Sequence, residues 1–101
     1  MVRMEGMKFA AIIEYTRDAA KIAAARPSHR EYLKGLLASG HLAISGPFAD
    51  DSGGLLIYET ETADEADALI REDPFTKGGV FLNWTIRGWK PIMVNPNLFP
   101  S

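Results

Sequence analysis

Residues 41–61, HLAISGPFADDSGGLLIYETE, decide the fold. Two runs of strand-forming residues, 41–49 and 55–61, flank the turn cluster Asp50-Asp51-Ser52-Gly53-Gly54. Turn chemistry between two apolar runs reads as a β-hairpin. Moving outward toward the C-terminus, Thr62-Ala63-Asp64-Glu65 has the form of a capping box, in which the Thr62 hydroxyl meets the amide three residues on. The spacing predicts a helix from about Ala63 to Glu72. It ends at Asp73 because Pro74 drives the residue before it out of the α region. Residues 75–79 read as a loop. Residues 80–89 (VFLNWTIRGW) read as a strand in which Val80, Leu82, Trp84 and Ile86 alternate with Phe81, Asn83, Thr85 and Arg87.

Moving outward toward the N-terminus, Gly40 is a natural helix stop. Residues 19–25 (AAKIAAA) are strong helix formers, and Asp18 can cap them. Pro27 interrupts the run, and proline fits a first helical turn far better than an interior. A second segment is therefore expected to open near Pro27 and run to Ser39. Ser28 with Glu31 offers a cap one or two residues away, and the two signals leave the choice open. Residues 7–15 (MKFAAIIEY) make the first strand, with Phe9, Ala11, Ile13 and Tyr15 on one face.

The order β-α-β-β-α-β is the ferredoxin-like, split βαβ arrangement of the α+β class: a four-stranded antiparallel sheet with two helices on one face. The unit spans residues 7–90, after a polar extension at 1–6 and before a proline-bearing tail at 91–101. The face away from the helices is expected to carry Ala10, Ile12, Leu56, Tyr58, Phe81 and Trp89. A sheet face this apolar calls for another sheet, so a homodimer packed through these faces is expected.

Composition bounds the function. A chain of 101 residues makes one domain, and 47% hydrophobic with 24% charged residues is ordinary globular composition. The net charge of −2, with no strip of Lys and Arg, argues against nucleic acid as a partner. The lack of cysteine excludes disulfides, thiolate metal sites and Cys nucleophiles, and fits a reducing cytoplasm, where the chain is expected. No apolar run approaches the length of a membrane span, and residues 1–6 lack the apolar core of a signal peptide; Met4 and Met7 are possible alternative starts.

Two ionisable residues continue apolar helix stripes. His29 lies one turn before Tyr32 and Leu33, in the stripe that runs on through Leu36 and Leu37; Asp73 lies one turn beyond Leu69 and Ile70. In a βαββαβ topology the start of the first helix, the end of the second and the hairpin turn gather at one end of the sheet. The expected constellation is therefore a His29–Asp73 pair near residues 46–54. A carboxylate that accepts one ring N–H fixes the tautomer and stabilises the imidazolium formed by proton uptake. A helix N-terminus at His29 would favour the neutral ring and the carboxylate the cation. Local alternatives stand beside this reading: a buried histidine satisfied by backbone, and a turn aspartate ahead of Pro74. His41 reads as surface and Asp50 and Asp51 as a solvated turn. No G-x-S-x-G elbow, H-E-x-x-H motif or P-loop occurs, so neither a metal nor a cofactor is expected.

The segment Arg26-Pro27-Ser28-His29-Arg30-Glu31-Tyr32-Leu33, with Ser39-Gly40-His41-Leu42, Ser45-Gly46-Pro47-Phe48, Gly53-Gly54 and Asp73-Pro74-Phe75, resembles the YCII (YciI-like) family. The similarity runs over roughly residues 7–90. The resemblance implies the dimeric α+β barrel form of the fold and an active-site His–Asp pair, onto which His29 and Asp73 map. It also implies lyase or isomerase chemistry, because one member type removes chloride from a chlorinated hydroxyhydroquinone and the wider superfamily includes muconolactone isomerase.

The leading expectation is a small cofactor-independent enzyme that acts on an enolisable or hydroxyaromatic molecule. His29 is its acid or base and Asp73 orients the ring. Pro47 and Phe48 shape an apolar wall, Tyr15 or Trp84 contributes from a neighbouring strand, and Phe75 closes the mouth. The alternatives are a binding or accessory module that uses the same pocket without chemistry, and a purely structural protein.

Overall fold

A computed structural model describes residues 6–100 of the chain; residues 1–5 of the expected N-terminal extension, and residue 101, lie outside the described residues. The elements are β1 (Met7–Tyr15), α1 (Ala19–Ser39), β2 (Leu42–Pro47), β3 (Gly53–Thr60), α2 (Ala63–Glu72), α3 (Pro74–Lys77) and β4 (Phe81–Trp89). The strands form one antiparallel sheet in the order β2-β3-β1-β4. This is the ferredoxin-like α+β arrangement, with a short third helix inserted where a loop was expected.

Local chemistry explains most boundaries. Asp18 caps α1, its Oδ1 accepting from the amides of Ala20 at 3.1 Å and Lys21 at 3.2 Å. Gly40 closes α1 in the left-handed region at φ 83°. Thr62 caps α2 by accepting from the Glu65 amide. The break expected at Pro27 does not occur: α1 is one continuous helix of 21 residues with Pro27 inside it. Proline removes a single N–H from the i→i−4 ladder. Here the packing of Ile22, Ala25, Leu33 and Leu36 against the core holds both halves in line. Leu37, placed in the buried stripe by spacing, is half exposed.

The core lies between helices and sheet and contains Phe9, Ala11, Ile13, Leu56, Tyr58, Ile70 and Val80. Three residues expected on the far face point inward instead. Leu56 pairs with Ala11 and Tyr58 with Phe9, which puts both against the helices. In β3, Leu55 and Ile57 alternate with Leu56 and Tyr58, so both faces are apolar and alternation alone does not choose between them. Phe81 turns inward because the register of β4 shifts between Glu14 and Tyr15. Tyr15 pairs with Phe81 and Glu14 with Asn83, which leaves Leu82 as the extra residue. The far face carries Ala10, Ile12, Ile44, Leu55, Ile57 and Trp89. The tail folds back beside it through a 3-10 turn at Pro96–Leu98, and Phe99 lines a cavity with Ile44, Ile57 and Trp89.

Candidate active site

Asp73 sits at the junction of two helices. Its backbone adopts φ −65° and ψ 131°, closing α2, and its side chain opens α3 by accepting the Phe75 amide at Oδ1, 2.8 Å away. The same Oδ1 lies 2.7 Å from Nδ1 of His29, across 44 residues of chain. Asp73 is fully buried and His29 is 8% exposed. An ionised carboxylate only accepts, so Nδ1 carries the proton and Nε2 is the free ring atom.

His29 comes from the interior of α1. The helix N-terminus expected to favour its neutral form is therefore not beside it, because terminal dipole effects fade within the first turn. Asp73 is left as the charged group in contact with the ring. Phe75 lies flat against the imidazole, with centroids 3.7 Å apart and planes at 6°; Phe81 meets it edge-on at 5.9 Å. Tyr15 stacks on Phe81 and meets Phe75 edge-on. Phe75 and Phe81 thus contact the imidazole directly, and Tyr15 packs against both of them.

A cavity of about 710 Å³ opens over His29. Of the residues named from the sequence, Tyr15, Pro47 and Phe75 line it with His29. Phe48 does not; it lines a neighbouring cavity of about 780 Å³ that shares Tyr15 and Asp51. Trp84 lies outside both, its indole N–H donating to Asp67 at 2.8 Å. His41 is exposed and its Nδ1 lies 2.7 Å from the Ser39 hydroxyl.

The Tyr15 hydroxyl has room because Gly54 stands opposite: a Cβ there would lie 2.6 Å from it. Burial pushes the Tyr15 phenol up, the carboxylates of Asp73 and Asp51 add to that, and the Arg26 guanidinium opposes it. Burial also pushes Tyr32 up to about 12, and its hydroxyl donates to the Leu69 carbonyl at 2.7 Å. Tyr15 therefore faces the cavity as a neutral phenol at neutral pH. Asp73 Oδ2 and the Tyr58 hydroxyl are buried with no hydrogen-bond partner among the described residues.

Sequence reasoning missed Arg26 and Arg30 as cavity residues. They flank His29 at i−3 and i+1, a signal hidden by the expectation of a broken helix. Asp51, read as a solvated turn, lines both cavities and adopts φ 60°. Aspartate enters the left-handed region more readily than most residues. Among the described residues no group of three or more His, Asp or Glu side chains is placed to hold a metal ion, and no helix is long and apolar enough to cross a membrane.

Comparison with known proteins adds three findings. Residues 7–90 match the model of the YCII-related domain. YjpA of Bacillus subtilis (strain 168), an uncharacterised protein, is 36% identical over 62 residues, 61% of this chain and 72% of its own. The solved structure of 5-chloro-2-hydroxyhydroquinone dehydrochlorinase (TftG) from Burkholderia phenoliruptrix AC1100, in complex with 2,5-dihydroxybenzoquinone, superposes with a TM-score of 0.72. The two are 29% identical, over 83% of this chain and 94% of that one.

Proposed function

The chain belongs to the YCII-related domain family, and from that premise we propose that it is a small cofactor-independent enzyme of the lyase or isomerase type. It transfers a proton on a small enolisable or hydroxyaromatic molecule. The observation that carries this reading is the buried 2.7 Å contact between His29 Nδ1 and Asp73 Oδ1 beside an open cavity. The dehydrochlorinase similar in fold, with its dihydroxyquinone ligand, supports a hydroxylated ring as substrate.

His29 Nε2 takes a proton from an O–H or an acidic C–H of the substrate, and Asp73 stabilises the imidazolium that forms. The electron pair left on the substrate relocates. In a lyase it expels a leaving group; in an isomerase the imidazolium returns the proton at another atom. A positioned imidazole contributes about 10²–10⁴-fold to such a step. Asp73 acts through His29 and is a positioning residue. Tyr15 offers a neutral hydroxyl to a substrate oxygen, while Phe75 and Pro47 supply apolar contact.

The molecule is proposed to work as a homodimer joined through the far faces of the two sheets. Ile12, Leu55 and Trp89, at 44%, 38% and 48% exposure, support that surface.

Two measurements test the reading. In the first, the imidazole resonances of His29 are followed across pH in wild type and Asp73→Asn. The two curves are expected to differ if the side chains are coupled; identical curves remove the dyad. In the second, 5-chloro-2-hydroxyhydroquinone and related hydroxyaromatics are incubated with wild type and His29→Gln. Turnover by wild type and a loss of at least about 10²-fold in the variant is expected. Compounds bound and recovered unchanged by wild type would make the protein a binding module instead.

A further inference from the structure

Position 29 is not the only polar position on the cavity side of α1. At 3.6 residues per turn, Ile22, Arg26, His29, Arg30 and Leu33 fall within an arc of roughly 100°, and all five line the cavity over the imidazole. Arg26 and Arg30 are one turn apart, both exposed, and neither makes an ion pair with a carboxylate among the described residues. Two like charges at i and i+4 repel, so this spacing does not serve helix stability. A guanidinium is a planar fork of N–H donors that matches a carboxylate bidentately. The interior of a helix has no free backbone N–H to add, so the recognition falls to the two side chains.

The other cavity residues fix the orientation. Asp51 stands on the wall formed by the β2–β3 turn, and its negative charge disfavours an anion on that side. Phe75 and Tyr15 line the cavity between the two charged walls and supply its aromatic lining. Asp73, behind His29, is occupied by the ring N–H and the Phe75 amide. The field thus runs across the cavity, positive along α1 and negative along the turn.

We infer that the ligand carries a carboxylate on a small ring, gripped by Arg26 and Arg30, with the ring set against Phe75 and Tyr15 and its reacting atom at His29 Nε2. This rests on the cavity being the ligand site, as proposed above, and names the chemical class that the site selects.

The test compares 2,5-dihydroxybenzoate with its neutral analogue 2,5-dihydroxybenzamide on the intact protein. Binding is followed by NMR at the Nε–Hε groups of Arg26 and Arg30. The acid is expected to bind about tenfold more tightly than the amide, or better. In Arg26→Gln/Arg30→Gln the two compounds should bind within about twofold of each other, and Arg26→Lys/Arg30→Lys should keep part of the preference because it keeps the charge. Both arginines are exposed, so the variants are expected to fold, and the His29 ring resonances report whether they do. Equal binding of acid and amide overturns the inference. So does a preference that survives the double Gln variant, failure of both compounds to move the arginine signals at millimolar concentration, or inorganic phosphate displacing the acid at equal concentration. None of these outcomes touches the His29–Asp73 titration, so the proton-transfer reading stands or falls separately.

Discussion

At Gly53 the backbones of β3 and β1 approach too closely for a side chain: a Cβ would lie 2.0 Å from the Ile13 carbonyl oxygen. Gly53→Ala therefore forces the strands apart, at a cost of about 1–3 kcal/mol. For a domain of this size each kcal/mol lowers Tm by about 4–8 °C, which a thermal melt resolves. Tyr58 makes the opposite case. Its hydroxyl is buried without a partner among the described residues, so Tyr58→Phe should raise stability by about 1 kcal/mol. A clear loss in denaturant titration would instead mean that the hydroxyl is bonded. Asp73 holds the His29 N–H and the Phe75 amide with a single oxygen. Asp73→Ala leaves both donors unpaired in the core, at about 1–3 kcal/mol for each. Asp73→Asn retains an acceptor and should lose less, so the two variants separate the fold from the proton chemistry.

Among the elements, α1 carries an internal proline and α2 a pH-sensitive tie to the sheet. Pro27 has no N–H for the Ala23 carbonyl, so Pro27→Ala should raise Tm. A fall would show that Pro27 contributes to stability beyond the hydrogen bond it lacks. Asp67 on α2 accepts from Trp84 on β4 and from Arg71. These hydrogen bonds, Arg71's first and then Trp84's, hold its carboxyl below its ordinary value of 3.8. A depressed folded-state value contributes stability that is full above 3.8 and is lost as pH falls through the folded value. The stability difference between wild type and Asp67→Asn should therefore shrink as pH drops below about 4, a trend that melts across pH 2–6 would show. The elements also differ in how openly the sequence announces them. Thr62 and Asp73-Pro74 mark both ends of α2 within a few residues, because capping and proline sterics are local. The continuity of α1 through Pro27 was not legible, because it depends on contacts with a core the chain has yet to build.

For the molecule as a whole, the far face of the sheet has an expected consequence. Its apolar residues include Ile12, Leu55 and Trp89, all exposed in the single chain. A stable dimer hides about 800 Å² on each partner. Light scattering should return the mass of two chains, and Leu55→Arg should shift it to one while leaving the circular dichroism of the fold intact. A monomeric wild type at micromolar concentration would refute the sheet-to-sheet dimer. The charged polarity of the cavity also emerges at this scale, since it takes α1 for its positive wall and the β2–β3 turn for its negative one.

The sequence by itself determined the element order, the caps at Asp18 and Thr62, the stop at Gly40 and the helix stripes that His29 and Asp73 continue. These are short-range effects of backbone sterics, capping and periodicity. The tertiary structure decided three other matters. It set which face Leu56, Tyr58 and Phe81 occupy, because both alternations of β3 are apolar and a register shift in β4 resets the pattern. It kept α1 whole through Pro27, because burial of Ile22 and Leu33 on either side outweighs one missing hydrogen bond. It put Arg26 and Arg30 beside His29 on one wall, since only an unbroken helix keeps positions 26, 29 and 30 in a common arc.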